Sequence, residues 1–468
     1  MFDVAILGAG PAGAMAAARC SELGARTALV SAGRIGGMAA NDGPVPVRTL
    51  ARTARLLRES RRMGRYGITV ADPVLDYRRV LARVGEVAES VRTHSLLEQV
   101  ATRGAILYES VVTTRFLDAH HARTASGQIV TADRFIIATG GVSRKLPIPG
   151  FELTSTHSDA WSLTDVPESM VIVGAGATGI QLASVFNAFG SRIELFEAAP
   201  RILAAEDDHV AAAVRSAFRD NGIALHESFG SIESFEKTPR GVRMNVDRGG
   251  AKDSIEADLV VVAVGWTAAT TDLNLAAAGV ELGPRGFIAV DDHLQTSAPN
   301  IFAAGDVTGR VMLASEALRD GFVAADNAMR GPHTTVGHHT TLAGSFTDPE
   351  YASIGLTEQQ ARAQYAVDCT IVGFTDNIRA IIDGETFGFC KLVVRSDTYE
   401  VLGCHVVGNH AIDVVQVVSA ALSAGMRRVD ELARVSVSFP TYAQIVIQAA
   451  VRASSRYGLD IGWHGHAI

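Results

Sequence analysis

The sequence predicts an α/β fold made of two strand–turn–helix–strand units, followed by a C-terminal α+β domain. A short apolar strand runs into a glycine-rich turn at residues 8–13 and again at residues 174–179. After each turn the pattern is that of a helix and then a second apolar strand. Beyond about residue 340, short strands alternate with helices. A chain of 468 residues is long enough for about three domains of this kind.

The composition is that of a globular protein, with 47% apolar and 20% charged residues. No apolar run reaches the roughly 18 residues that span a bilayer. The net charge of −8 supplies no broad basic surface, which argues against a general nucleic-acid binder. The first residues, MFDVAILGAG, lack a basic start and predict a buried strand rather than a signal peptide, so we expect a cytoplasmic protein.

Cysteine and histidine spacing predicts neither a disulfide framework nor a metal site. The cysteines show no paired or metal-ligand spacing, so we expect small buried apolar residues at Cys20, Cys369, Cys390 and Cys404. Histidines cluster before the C-terminal domain and near the last residue, at His338, His339, His464 and His466. No carboxylate or cysteine joins them at ligand spacing, so we expect them to be solvated.

The first glycine turn predicts a dinucleotide site. An apolar strand at residues 3–7 precedes it, and a second strand at residues 26–30 follows the alanine-rich helix. In such a βαβ unit the first glycine allows a tight turn, the second lets the backbone approach a pyrophosphate, and the third lets helix and strand pack. The helix N-terminus offers its amides to the phosphates. The binding residues predicted here are Gly8, Gly10, Pro11, Ala12 and Gly13.

The pattern is repeated in the middle of the chain. Residues 169–173 and 193–196 read as strands around a second glycine turn and helix. The binding residues predicted at this turn are Gly174, Gly176, Thr178 and Gly179. Two such units in one chain predict two bound dinucleotides.

The ends of the two second strands differ. Glu197 and Ser31 lie equally far along the chain from the first glycine of their turns. An acid at this place accepts hydrogen bonds from ribose hydroxyls and repels a 2′-phosphate, so the second site is expected to prefer NADH to NADPH. The alternative is that Glu197 is a solvated surface residue. Ser31 carries no charge, so the first site must hold its ligand by other contacts as well.

Several further motifs occur in a recognisable order. FIIATGG at residues 135–141 and NIFAAGDV at residues 300–307 are buried strands that break at small residues. Three more motifs occur in the chain: AVG at residues 263–265, FTDPEYASIGLTE at 346–358 and FPTYAQ at 439–444. With the two glycine turns, this order resembles the flavin-dependent pyridine nucleotide-disulfide oxidoreductases, the family of glutathione reductase, lipoamide dehydrogenase and mercuric reductase.

This resemblance implies two Rossmann-like dinucleotide-binding domains plus a C-terminal α+β dimerisation domain. It implies FAD in residues 1–150 and 270–335, NAD(H) in residues 151–269, and a homodimer formed through residues 340–468. It also implies that Asp306 hydrogen-bonds the FAD ribityl chain. The remaining cofactor contacts that it implies lie at Thr139, Gly140, Gly265 and Gly305.

The chain departs from the family where the chemistry takes place. The family's GGTCLNVGCxPSK stretch carries a redox dithiol, whereas residues 36–48 read GGMAANDGPVPVR, with Ala39 and Pro44 at the cysteine positions. The family's C-terminal His-Pro-Thr-x-x-Glu lends an acid–base pair to the partner subunit. Phe439 and Gln444 stand there instead, and neither moves a proton at neutral pH. We therefore expect Gly37 to open a helix that covers the flavin without passing electrons through a disulfide.

A second pair of positions also changes together. The family's flavin-side lysine and its glutamate partner correspond to Arg48 and Gln181. A guanidinium without a carboxylate partner would stabilise negative charge on reduced flavin or orient an anionic substrate, so we predict a catalytic role for Arg48. The alternative is a surface arginine on an amphipathic helix. Trp266, which replaces a family arginine, either packs in the interior or stacks on nicotinamide.

These observations predict an FAD-dependent NAD(P)H:acceptor oxidoreductase whose acceptor is a small molecule other than a disulfide. Quinones fit best, because the space at Ala39, Pro44 and Phe439 is small-walled and apolar. One alternative is a non-catalytic nucleotide-binding or sensing protein, since a fold does not dictate a function. Another is a soluble transhydrogenase or an NADH oxidase, although Glu197 disfavours NADP and no peroxide-handling thiol is present.

Overall fold

The computed structural model describes residues 1–97, 100, 103–161, 163–336 and 341–462. The four histidines considered above as metal ligands lie outside these residues, at His338, His339, His464 and His466.

Up to residue 161, strands alternate with helices. The strands are β1 (Phe2–Leu7), β2 (Thr27–Val30), β3 (Ile106–Tyr108), β4 (Thr114–Phe116), β5 (His121–Thr124), β6 (Ile129–Ile137) and β7 (Gly141–Ser143). The α-helices are α1 (Pro11–Glu22), α2 (Gly37–Asn41), α3 (Pro44–Arg61), α4 (Tyr77–Ser90) and α5 (His157–Trp161). Single turns of 3-10 or π-helix occur at Met63–Tyr66, Val91–Leu97 and Phe151–Leu153.

The middle of the chain repeats this alternation. Its strands are β8 (Ser169–Val173), β9 (Arg192–Glu197), β10 (Ala224–Glu227), β11 (Ser231–Lys237), β12 (Val242–Arg248), β13 (Ala251–Ala257), β14 (Leu259–Val262) and β15 (Trp266–Ala268). Its helices are α6 (Ala177–Phe189) and α7 (Asp208–Asp220). The next segment holds β16 (Ile301–Ala303), α8 (Ala314–Arg330) and 3-10 turns at Leu275–Ala278 and Gly305–Thr308.

The C-terminal part is an antiparallel sheet with helices. The strands are β17 (Leu342–Ser345), β18 (Tyr351–Gly355), β19 (Val367–Gly373), β20 (Phe389–Arg395) and β21 (Val401–Val407). The helices are α9 (Glu358–Arg362), α10 (Ile378–Ile382), α11 (Ala411–Ser423), α12 (Val429–Leu432) and α13 (Gln444–Arg456), with a 3-10 turn at Phe374–Asp376. These elements confirm the predicted fold class.

The first sheet joins the two ends of the predicted FAD region. Its strand order is β3-β2-β1-β6-β5-β4, and β16 pairs with β6 in parallel. The central strands β2, β1 and β6 are parallel, and β2, the last four residues of β1 and the last three of β6 are buried. Helices α1 and α8 pack together against this part of the sheet. Residues near 302 therefore lie beside the first glycine turn, although they are far away in sequence.

The second sheet is smaller and all parallel, in the order β10-β9-β8-β14. A three-stranded antiparallel sheet, β11-β12-β13, lies next to it and was not apparent in the sequence pattern. Strand β15 pairs antiparallel with β7, which follows the first sheet. This two-stranded ribbon joins the segment after the first sheet to the segment after the second.

The C-terminal sheet has the order β17-β18-β21-β20-β19, and α11 and α13 pack on it. It meets the middle domain at a buried charge cluster. Lys391 on β20 is fully buried, and its Nζ lies 2.8 Å from Asp207 Oδ1 and 2.6 Å from Glu358 Oε2. In the part of the chain that the structure describes, no helix is both long and apolar enough to cross a bilayer.

Candidate functional site

The first glycine turn has the geometry that a dinucleotide requires. Gly8 has φ = +108°, and a methyl group on it would lie 2.2 Å from the carbonyl oxygen of Ala138. A methyl group on Gly13 would lie 1.7 Å from the carbonyl oxygen of Gly8. Helix α1 then begins at Pro11, with Gly10 as its N-cap and no side chain bonded to the first amides. Those amides remain available to a phosphate.

The second half of the first site is brought in by β16 and the turn that follows it. Gly305 lies against α1, because a methyl group on it would lie 3.1 Å from Ala12 Cβ. The next residue, Asp306, is half-buried, and no described residue hydrogen-bonds its carboxyl group. Burial, and then the neighbouring Asp320, raise the pKa of Asp306 to about 6. A half-buried acid without a protein partner suits a ligand with hydroxyl groups.

Thr139 supports the same interpretation. It follows β6 at the turn, next to Gly140, and its Oγ1 is buried without a hydrogen-bond partner among the described residues. Buried hydroxyls rarely remain unpaired, so a ligand is the simplest partner for this one. The open amides of α1, the Thr139 hydroxyl and the Asp306 carboxyl form a set of donors and acceptors that fits FAD.

The segment that would cover this site is tied to the glycine turn. Gly36 N donates to Ala9 O at 2.7 Å. A methyl group on Gly37, which has φ = +51°, would lie 2.8 Å from Gly10 Cα. Helix α2 therefore starts directly against the first turn, where the sequence predicted the covering helix. Ala39 and Pro44 lie half-buried in this segment.

Two residues that were predicted to contact the ligand of the first site, Ser31 and Arg48, show no feature that points to a ligand. Ser31 is 5% exposed at the end of β2, so only a small part of its surface is accessible. Arg48 is exposed on the second turn of α3, with its Cζ 4.3 Å from the centre of the Phe346 ring. No hydrogen bond joins Arg48 to Gln181 in the described structure, and the Gln181 side chain donates instead to Ala177 O at 2.9 Å.

The second glycine turn repeats the geometry of the first. A methyl group on Gly174, at φ = +97°, would lie 2.5 Å from Ala263 O, and one on Gly179 would lie 1.8 Å from Gly174 O. Gly176 is exposed, and a methyl group on it would meet nothing within 4 Å. The space in front of this N-terminus of α6 is therefore open to a ligand.

A cleft of about 530 Å³ lies over the second turn. Glu197 lies in its wall, and its carboxylate accepts hydrogen bonds from Ala175 N and Ala199 N, both at 2.8 Å. These bonds fix the acid at the strand end where ribose hydroxyls bind in such units. Thr178, Gly265 and Trp266 also line the cleft. The residues present therefore fit a nicotinamide dinucleotide.

The two sites adjoin at Gly141. A methyl group on this residue would lie 3.7 Å from Asp306 Cβ, in the first site, and 3.9 Å from Trp266 Cβ, in the wall of the second. The β7–β15 ribbon produces this approach by pairing Gly141 with Ala268. Trp266 also packs edge-on against His157, with ring centroids 4.9 Å apart, so it serves both for interior packing and as part of the cleft wall.

The four cysteines are free and lie outside both glycine turns. Cys20 is buried in α1, and burial raises its pKa to about 12. The other three lie in the C-terminal sheet, where Cys390 Sγ and Cys404 Sγ are 3.9 Å apart. That proximity was not visible in the sequence, because the two residues are on neighbouring strands. Among the described residues, no cluster of three acidic, histidine or cysteine side chains could hold a metal ion.

One residue of the first site was missed. Asp320 on α8 is 3% exposed, and its Oδ2 accepts from Gly305 N at 3.2 Å. It holds the turn that carries Asp306, and burial raises its own pKa. A signal was present, because Asp320 interrupts the small apolar stripe that contains Ala317 and Ala324.

Comparison with known proteins identifies the family. The family model described as pyridine nucleotide-disulphide oxidoreductase matches residues 2–321, and that of its dimerisation domain matches residues 342–450. The chain is 30% identical to a dihydrolipoyl dehydrogenase of Geobacillus stearothermophilus over 459 residues, which are 96% of this chain and 95% of that protein. It is 32% identical to a mercuric reductase of Bacillus cereus over 430 residues, which are 91% of this chain and 67% of that one.

Solved structures show the same fold. LpdA of Mycobacterium tuberculosis superposes with a TM-score of 0.87 at 26% identity, covering 96% of this chain and 99% of that one. The HOCl-induced flavoprotein disulfide reductase RclA of Escherichia coli superposes with a TM-score of 0.84 at 24% identity, covering the same shares of the two chains. With the family models matching most of its length, the chain belongs to the pyridine nucleotide-disulphide oxidoreductase family.

Proposed function

We propose that this protein is an FAD-dependent NADH:acceptor oxidoreductase that passes electrons directly to a non-disulfide acceptor such as a quinone. Its family consists of FAD-dependent oxidoreductases that use NAD(P)H. The observation that carries the proposal is the approach of the two sites at Gly141, combined with the residues of the covering segment. Asp306 and Trp266 bring the first and second sites to the same glycine, yet Ala39 and Pro44 above the first turn carry no thiol.

The chain's own residues would bind and orient the two nucleotides. The α1 amides and Asp306 would hold FAD, and the α6 amides with Glu197 would hold NADH. Bound FAD would supply the capacity to take a hydride from NADH and to reduce an acceptor by two electrons. In the overall reaction NADH, a proton and a quinone give NAD⁺ and a hydroquinone.

The positions of the thiols bear on the kind of acceptor. Cys20 is buried in α1, and the other cysteines lie in the C-terminal sheet. None of these cysteines lies in the covering segment, residues 36–48, so that segment offers no thiol to exchange with a disulfide substrate. The small apolar walls at Ala39 and Pro44 suit a planar, weakly polar acceptor instead.

We also propose a homodimer formed through the C-terminal domain. Residues 342–450 match the family's dimerisation domain. Several large apolar side chains of this domain are exposed in the single chain, among them Ile381 (55%), Ile382 (59%) and Phe439 (61%). Apolar surface of this kind is typical of an interface between identical subunits.

The test starts with the purified, flavin-loaded protein. Anaerobic NADH is expected to bleach the flavin, and a quinone is expected to reoxidise it much faster than lipoamide, glutathione disulfide or oxygen does. A variant with all four cysteines changed to Ala or Val is expected to keep quinone reduction, because none of them takes part. Fast reoxidation by a disulfide that the cysteine-free variant loses would contradict the proposal. Flavin that NADH does not bleach would instead favour a nucleotide-binding role.

A further inference from the structure

We propose that Glu109 holds the adenosine ribose of the dinucleotide at the first glycine turn, in place of the acid that is missing at Ser31. This inference rests on the proposed binding of FAD at that turn. It names a specificity residue that the glycine motif does not contain, because Glu109 follows β3 rather than β2.

Strand pairing brings the two residues together. β3 runs parallel to β2, with Val30 paired to Tyr108. The pairing continues past the strand ends, since Ser31 N donates to Tyr108 O at 2.8 Å and Val111 N donates to Ser31 O at 3.0 Å. Glu109 therefore lies beside Ser31, on the same face of the sheet. This is the carboxyl edge of a parallel sheet, where dinucleotides bind.

The carboxylate of Glu109 is positioned but only partly used. Ile35 N donates to its Oε1 at 2.7 Å, which anchors it to the loop that leads to Gly36. Glu109 is nevertheless exposed, and no described cation forms an ion pair with it. Its second oxygen and its full negative charge remain available to ribose hydroxyls, which are donors.

In the second site, the acid at the position equivalent to Glu109 is paired with a residue of the protein. Glu227 is paired with Glu197 across β10 and β9, as Glu109 is placed beside Ser31. Its Oε1 likewise accepts from a loop amide, Ile202 N, at 2.9 Å. However, Arg215 Nη2 lies 2.7 Å from that carboxylate, whose side chain is only 13% exposed. Glu227 is neutralised and enclosed, which leaves ribose binding to Glu197.

The first site thus has an acid after β3, Glu109, that no described arginine neutralises. It has no acid at the end of β2, where Ser31 stands. The backbone after Glu109 is held in place, since Ser110 N donates to Gly33 O at 3.3 Å. Ser110 and Val112 both have positive φ, 58° and 66°, and a β-branched residue rarely adopts this conformation. Such conformations persist where the surroundings enforce them, often at ligand sites. Glu109 is therefore followed by a turn whose backbone is held by its neighbours.

The experiment compares Glu109→Gln, Glu109→Ala and wild-type apoprotein, with flavin fluorescence titrated by FAD and by FMN. FMN lacks the adenosine. Loss of the charged hydrogen bond is expected to raise the Kd for FAD on the order of tenfold in both variants. The Kd for FMN is expected to stay unchanged in Glu109→Gln, because the glutamine oxygen still accepts from Ile35 N. Glu86→Gln, which removes an exposed charge on α4, serves as the matched control.

The outcomes separate the two roles that Glu109 could have. If it only anchors the loop, Glu109→Gln binds FAD as wild type does and Glu109→Ala weakens FAD and FMN alike, which overturns the inference. An unchanged Kd for FAD in both variants overturns it too. If wild-type apoprotein binds no FAD at all, the proposed function fails and not merely the role of Glu109. Thermal unfolding of each apoprotein confirms that the variants are folded.

Discussion

Lys391 and Asp207 form a buried ion pair between the C-terminal and middle domains, with Nζ 2.8 Å from Oδ1 and both side chains at most 1% exposed. Burial alone would raise the pKa of Asp207, but hydrogen bonds from Lys391 and from Glu358 N outweigh it and lower the pKa to about 2. The pair therefore ties the N-terminus of α7, which Asp207 caps, to the C-terminal sheet.

Changing Lys391 to Met is expected to destabilise the protein at pH 7 by roughly 3 kcal/mol, because Asp207 is left buried without its cation. The pKa of Asp207 is depressed in the folded state, so its stabilisation is present above about pH 4 and is lost as the pH falls towards about 2. The difference from wild type should therefore shrink in acid. Urea unfolding at pH 7 and pH 3 measures this. Lys252→Met, which removes exposed ion pairs, should leave stability nearly unchanged.

Asp306 gives the opposite pH dependence. Burial and then Asp320 raise its pKa to about 6, so its contribution to stability is present below about pH 4 and is lost as the pH rises through about 6. Asp306→Asn apoprotein is expected to be more stable than wild type at pH 7.5, on the order of 2 kcal/mol, and equal to it near pH 4. Thermal unfolding of both apoproteins tests this. The same variant should bind FAD more weakly, and equal FAD affinity would remove Asp306 from the site.

Two glycines of the second turn should respond differently to the same change. Gly176→Ala places a methyl group in open space before α6, so the protein should fold normally but bind NADH at least about tenfold more weakly. Gly179→Ala places it 1.8 Å from Gly174 O, so helix and strand must move apart and the protein should lose stability. Thermal unfolding with NADH titration distinguishes the two. Normal NADH affinity in Gly176→Ala would mean that the ligand does not approach this turn.

Much of the fold could be predicted because it depends on local patterns. The strands before and after each glycine turn were predicted to within a residue or two. Apolar runs that end at glycine specify such strands without reference to the rest of the chain. The wholly antiparallel β11-β12-β13 sheet was not apparent, because its strands are largely exposed and polar.

Contacts between segments that are far apart in the chain could not be predicted from the sequence. The approach of Asp306 and Trp266 at Gly141 depends on a ribbon between β7 and β15. The proximity of Cys390 and Cys404 depends on the pairing of neighbouring strands, so their spacing in sequence gave no sign of it. Motifs identify which residues bind a ligand within one unit, whereas tertiary packing decides which units meet.

Glu197 is the residue that should set the nucleotide preference. Its carboxylate is fixed by Ala175 N and Ala199 N, and a 2′-phosphate would bring negative charge against it. We define the NADH preference as kcat/KM for NADH divided by kcat/KM for NADPH. Glu197→Gln is expected to lower this preference by about tenfold. Steady-state assays with a quinone measure both values. A ratio that does not move would show that another group excludes NADPH.

Arg48 provides a test of whether the covering segment stabilises the reduced flavin electrostatically. Its guanidinium lies over the Phe346 ring, exposed and without a carboxylate partner among the described residues, so its charge is not neutralised within the chain. If bound flavin lies near it, attraction favours the anionic reduced form, by at most about 4 kcal/mol at 4 Å with an effective dielectric of 20 and less with solvent access. Arg48→Met should therefore lower the flavin potential and slow reduction by NADH, while FAD stays bound through α1 and Asp306.

Redox titration and stopped-flow reduction of the Arg48 variants provide the measurement. A drop in potential on the order of 30 mV corresponds to about 1.4 kcal/mol for a two-electron couple. Arg48→Lys should recover part of it, since it restores charge without the planar fork. Arg52→Met, an exposed arginine on the same helix, is the matched control and should leave the potential unchanged. If Arg48→Met behaves like Arg52→Met, Arg48 is a surface residue that packs on Phe346, and electron transfer in this protein does not depend on its charge.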